Sequence, residues 1–106
     1  MDKIIVNIAL DFSLTPGPRT KAEGQFSAEE FLDKILYSKF DQAVKENKKV
    51  QIILDGTAGY ATSFLEGTFG GLVRKRSKKE VLEHVEYISN EEPYLIEEIK
   101  HYVNNA

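Results

Sequence analysis

Residues 53–74 read ILDGTAGYATSFLEGTFGGLVR and gather most of the chain's chemically interesting side chains. An apolar run ends at Asp55. Gly56, Thr57, Gly59 and Tyr60 follow in a short loop, and two hydroxyls, Thr62 and Ser63, open a helix-like segment. Free amides and the dipole at such a helix start favour a phosphate or a carboxylate. Asp55 can hold a metal ion or a hydrogen-bond donor there, and Thr62 or Ser63 can accept a phosphoryl group. The same residues also make a plain connection, with Asp55 and Gly56 forming the turn and a hydroxyl capping the helix. The stretch is no P-loop, since the lysine and the glycine spacing are missing. Nor is it a nucleophile elbow, because Ser63 lacks a glycine two residues to either side.

Gly67, Gly70 and Gly71 lie inside the predicted helix, where each glycine costs about 0.5–1 kcal/mol against alanine. Gly67 and Gly71 are four residues apart and share a face, so the sheet, another helix or a second chain must approach closely. Arg19 and Lys21 sit in a glycine- and proline-containing loop, a solvated connection or a clasp over an anion or partner. The run RKRSKK (74–79) puts five cations near a helix carboxyl end, where positive charge is favoured anyway. No aromatic residue interleaves with it to stack bases, which argues against nucleic acid. His84 and His101 have no partners at metal-ligand spacing, so neither a metal nor another cofactor is expected.

The elements that position these residues follow from hydrophobic period. Alternation in KIIVNIALDF predicts a strand with Ile4, Val6, Ile8, Leu10 and Phe12 on one face. Residues 13–26 form a loop. Ser27 to Glu30 is a capping box ahead of an amphipathic helix carrying Phe31, Leu32, Ile35 and Leu36. VQIIL (50–54) reads as an inner strand, residues 62–75 as a helix, and Ser77 to Glu80 as a second capping box. EYIS suggests a third strand. A last helix with Leu95, Ile99, Tyr102 and Val103 inward is expected after a cap at Asn90. Alternating strands and helices imply an α/β fold with substantial parallel pairing.

At 106 residues and a formal charge of −3, the chain is expected to be one domain, residues 1–106. It has no cysteine, which excludes disulfides, thiolate metal sites and a cysteine nucleophile. No run approaches a membrane span or a signal peptide, so a cytoplasmic location is expected.

FSLTPGPR, GQFSAEEF and the SFLEGTFGGLVR block together resemble the STAS-like family of bacterial domains known as DUF4325, over residues 10–103. The resemblance implies a STAS-like α/β domain with a small mixed sheet of about four strands packed against helices. It also implies kinship in fold with the anti-sigma-factor antagonists. The corresponding function is a non-enzymatic regulatory module that binds a partner, such as a GHKL-type ATPase acting as a kinase, and is switched by phosphorylation at a helix start. By position, Asp55 then matches the acid at the strand end and Ser63 the phosphoacceptor, with Thr62 as its nearest substitute. The alternative is a nucleotide- or anion-binding domain that uses residues 55–63, with Arg19 or Lys21 closing over the ligand. A homodimer is compatible with either.

Overall fold

The computed structural model describes residues 2–106. Strand β1 spans Lys3–Asn7 and passes directly into a short helix, α1, at Ile8–Asp11. Helix α2 runs continuously over residues 28–46, with a π turn at Leu32–Leu36. Strand β2 is Lys49–Ile53. Helix α3 covers residues 62–75, with a second π turn at Glu66–Gly70. Helix α4 (Lys78–His84), strand β3 (Val85–Ile88) and helix α5 (Tyr94–Asn105) complete the chain.

The sheet has three strands in the order β1-β2-β3, and both pairings are parallel. This corrects the mixed sheet of about four strands. Every connection between strands passes through a helix, which returns the chain to the same end, so no pair is antiparallel. The expected first strand is also too long. At Asn7 the side chain accepts the Leu10 amide at 3.1 Å, while the Asp11 carboxylate accepts the Asn7 amide at 2.8 Å. That reciprocal cap turns residues 8–11 into a helix and leaves Leu10 81% exposed, off the face it was expected to share.

At both capping boxes the local signal and the element agree. Ser27 accepts the Glu30 amide at 3.0 Å and Ser77 accepts the Glu80 amide at 3.1 Å, each starting its helix. Asn47, in the left-handed region at φ 52°, ends α2 and lets the chain re-enter the sheet. Helix α5 begins later than expected, at Tyr94 behind Pro93, so Asn90 is not its cap.

Parallel strands joined in sequence by right-handed crossovers place their helices on one face of the sheet. Val6, Val50, Ile52 and Val85 point into that face and are buried. They meet Phe31, Leu36 and Phe40 from α2, Phe64, Phe69 and Leu72 from α3, and Ile99 from α5. The opposite face carries no helix. There Ile5 is 49% exposed, and the Glu86 carboxylate accepts from Lys3 at 2.6 Å and Gln51 at 2.8 Å.

The glycines of α3 explain how closely it approaches its neighbours. A Cβ on Gly67 would stand 3.1 Å from the Ala28 Cβ and 3.0 Å from the Arg19 Cγ. One on Gly71 would stand 3.1 Å from Leu32 Cδ1. Both glycines therefore let α3 close on α2 within this chain. Gly70 instead leaves room for the Glu66 carboxylate on the outer surface. In the same π turn, the fully buried Thr68 hydroxyl has no hydrogen-bond partner among the described residues. A polar group in that state costs about 1–3 kcal/mol.

Candidate functional site

The carboxyl ends of all three strands open at one end of the sheet, where ligands and partners of α/β proteins are usually met. The loop of residues 55–61 leaves the central strand there. It is tied to the segments after both neighbouring strands. The Asp55 carboxylate accepts the amides of Asn90 at 2.9 Å and Glu91 at 2.9 Å. The Gly56 amide donates to the Glu91 carboxylate at 2.8 Å, and the Ala58 amide donates to the Leu14 carbonyl at 2.8 Å. Asp55 is therefore a clamp between loops rather than an open ligand. Gly56 and Gly59 take φ values of +96° and +136°, which side chains other than glycine rarely tolerate. Thr57 turns its hydroxyl oxygen back to the Gly59 amide at 3.3 Å.

Tyr60 closes the loop. Its hydroxyl donates to the Leu54 carbonyl at 2.7 Å, and its ring lies 5.9 Å from Phe64. Burial pushes the phenol up to about 12, so it remains a donor throughout the neutral range. Beneath it, Phe12, Phe31 and Phe64 form one aromatic cluster, with centroids 5.1–6.4 Å apart. Phe26 packs edge-on against Phe12 at 5.9 Å. None of these rings carried a functional signal in the sequence, yet they are what holds the loop and the start of α3 together.

Helix α3 is capped by Ala61, with an extended φ of −70° and ψ of 145° and no side-chain hydrogen bond. Thr62 and Ser63 are therefore not its caps. They occupy the first helical turn, Thr62 exposed and Ser63 half-buried. The orphan amides of that turn lack the side-chain acceptor that serves α2 and α4. Beside this end of the molecule, Leu14 is 61% and Phe26 37% exposed.

Arg19 and Lys21 do not join this constellation. Their loop is ordered by Gly17 donating to the Phe26 carbonyl at 2.8 Å and by Ala28 donating to the Pro18 carbonyl at 2.9 Å. It lays Arg19 across Gly67 to pair with Glu66, while Lys21 reaches Asp33 at 2.6 Å. Glu66 also accepts Arg74 at 2.7 Å. These two guanidiniums, Arg74 foremost, hold the Glu66 carboxyl at about 2, well below its ordinary 4.5. A carboxylate depressed in the folded state stabilises above its unfolded value, and that contribution is lost as pH falls from 4.5 through about 2. Glu66→Gln is therefore expected to flatten the acid side of the stability curve across that window, as measured by chemical unfolding at stepped pH. An unchanged slope would show that the pair contributes nothing.

Among the described residues no group of histidine, cysteine or carboxylate side chains is placed to hold a metal, and no helix is long and apolar enough to cross a membrane. The architecture is that of a small α/β domain whose loops converge on one end of a parallel sheet. The chain belongs to the family of STAS-like domains of unknown function (DUF4325), whose model matches residues 27–95. That match runs from the capping serine of α2 to the start of α5 and leaves out β1 and the loop bearing Arg19 and Lys21. Searches of curated proteins and of solved structures found no match.

Proposed function

We propose that this domain is a non-enzymatic regulatory module that binds a partner protein through the carboxyl end of its sheet, and that a phosphate on Ser63 or Thr62 controls the binding. The observation that carries this reading is the start of α3. It presents two hydroxyls and uncapped amides next to the exposed Leu14 and Phe26. Apolar side chains at a rim of loops suit a protein partner, and a charge introduced among them opposes docking. A phosphoryl group brings about −1.5 to −2 charge, which a helix amino terminus tolerates locally but an apolar or acidic partner surface does not. The partner we favour is an ATPase-type kinase, cytoplasmic like this domain, that both recognises the surface and modifies it.

The test is direct. After incubation with such a partner and ATP, a single phosphate should appear on the α3 start and be lost in Ser63→Ala, or in Thr62→Val if the threonine is used. Ser63→Asp should weaken partner binding at least about tenfold, or about 1.4 kcal/mol. Equal affinity for Ser63→Asp and the unchanged chain would remove the switch. An anion-binding role at residues 55–63 has less support, because the cations meant to close over the ligand lie on the flank of α2 and α3.

A further inference from the structure

We propose that β3 pairs with β3 of a second copy of this chain, antiparallel across a two-fold axis, joining two three-stranded sheets into one. Both outer strands have a free edge, but they are finished differently. The outer edge of β1 is flanked by Asp11 and Lys39, charges of the kind that discourage strand addition. The edge of β3 has no proline, and its one charge, Glu86, borders the groove beside it but is neutralised there by its bonds to Lys3 and Gln51 on the open face. The Ile88 carbonyl accepts the Leu54 amide at 2.8 Å, facing β2. Strand alternation then turns the peptide groups of Tyr87 outward, unpaired.

Alongside this edge runs a groove of about 280 Å³ between α4 and α5, lined by Val81, Leu82, Tyr87, Ile96 and Val103, with Lys100 among them. Leu82, on its rim, is 56% exposed. In a two-fold pairing the Leu82 of each copy meets the groove of the other, so one surface supplies both the projection and the recess.

Charge favours a second copy over an unrelated strand. Helix α5 exposes Glu97 and Lys100, whose side chains are 81% and 55% accessible and only loosely paired at 3.6 Å. Two such helices running antiparallel place the Ile96 end of one beside the Lys100 end of the other. Where the two-fold axis crosses the α5 pair between Ile96 and Lys100, Glu97 of each copy faces Lys100 of its mate, so one surface supplies both charges.

Sedimentation and light scattering on the full chain over about 1–200 µM test this, since a modest interface dissociates in the micromolar range. We expect a species of twice the 12.0 kDa chain mass at the upper end, and slow exchange of the Tyr87 amide there that is lost on dilution. Leu82→Glu should give monomer throughout with an unchanged circular dichroism spectrum. Lys100→Glu should weaken the dimer, and adding Glu97→Lys should restore it. A monomer at every concentration overturns the proposal and leaves the edge to an extended strand of another protein. A dimer indifferent to both Leu82→Glu and Lys100→Glu overturns it equally, because its interface is then elsewhere.

Discussion

Phe64→Ala is expected to cost about 3–5 kcal/mol, the range for truncating a fully buried phenylalanine. The ring is wholly inaccessible and lies 6.4, 6.1 and 5.9 Å from Phe12, Phe31 and Tyr60. A domain of this size has only about 5–15 kcal/mol in total, so the variant should sit near the edge of folding. At roughly 4–8 °C per kcal/mol, its Tm should fall by at least about 12 °C. Urea unfolding checks the energy. A loss under about 1 kcal/mol would mean that the neighbouring rings collapse into the gap. The same residue links stability to the site, because Phe64 is neighbour in sequence to Ser63 and in space to Tyr60. A milder variant, Phe64→Leu, should retain the fold while loosening the 55–61 loop, read as faster exchange of the Ala58 amide.

The second large effect is expected at Gly17→Ala, in a segment that reads as flexible. A Cβ there would run into the backbone carbonyl oxygen of Gln25 and lie 3.3 Å from that of Phe26. Backbone cannot rotate aside as a side chain can. The Gly17–Phe26 hydrogen bond, 2.8 Å long, must open. We expect a loss of about 1–3 kcal/mol, as for overpacking in a tight site. We also expect new proteolytic cleavage within residues 13–26, since exposed mobile loops are where nicking concentrates. The opened loop should also withdraw Arg19 from Glu66 and reduce the acid-side slope in the direction of Glu66→Gln. Wild-type resistance to proteolysis in Gly17→Ala would refute the ordering of this loop by the Gly17–Phe26 hydrogen bond.

These two positions mark how far the sequence could be read. Helix α3 is legible in its full extent, residues 62–75, because its apolar stripe keeps helical spacing. The capping boxes at Ser27 and Ser77 are legible because their signal is local. The inner strand shifts by only one residue. What fails is non-local, or depends on one side chain overriding a pattern. Alternation continues past Asn7, yet the Asn7–Asp11 exchange of hydrogen bonds ends the strand there. Pro16, Gly17, Pro18 and Gly24 advertise a loop but not that its backbone is laced to Phe26 and Ala28. Asp55 is visible as an acid at a strand end. Its role as a clamp on Asn90 and Glu91 depends on residues 35 and 36 positions away. Gly67 and Gly71 announce a close approach, while the identity of the approaching group, Ala28 and Leu32, comes only with the fold.

The all-parallel sheet also decides how this domain can be held. Strand β1 enters at the amino end of the sheet, opposite the loops of the candidate site. Helix α5 leaves from the site end and, at about 1.5 Å per residue, travels roughly 18 Å back, with Ile96, Lys100 and Val103 along the groove that it shares with α4 and β3. The start of β1 and the end of α5 thus lie at the end of the sheet away from the candidate site. A tether, a fluorophore or a neighbouring module joined ahead of β1 or after α5 extends from that end, leaving Thr62, Ser63 and the surrounding loops facing outward and free to be reached.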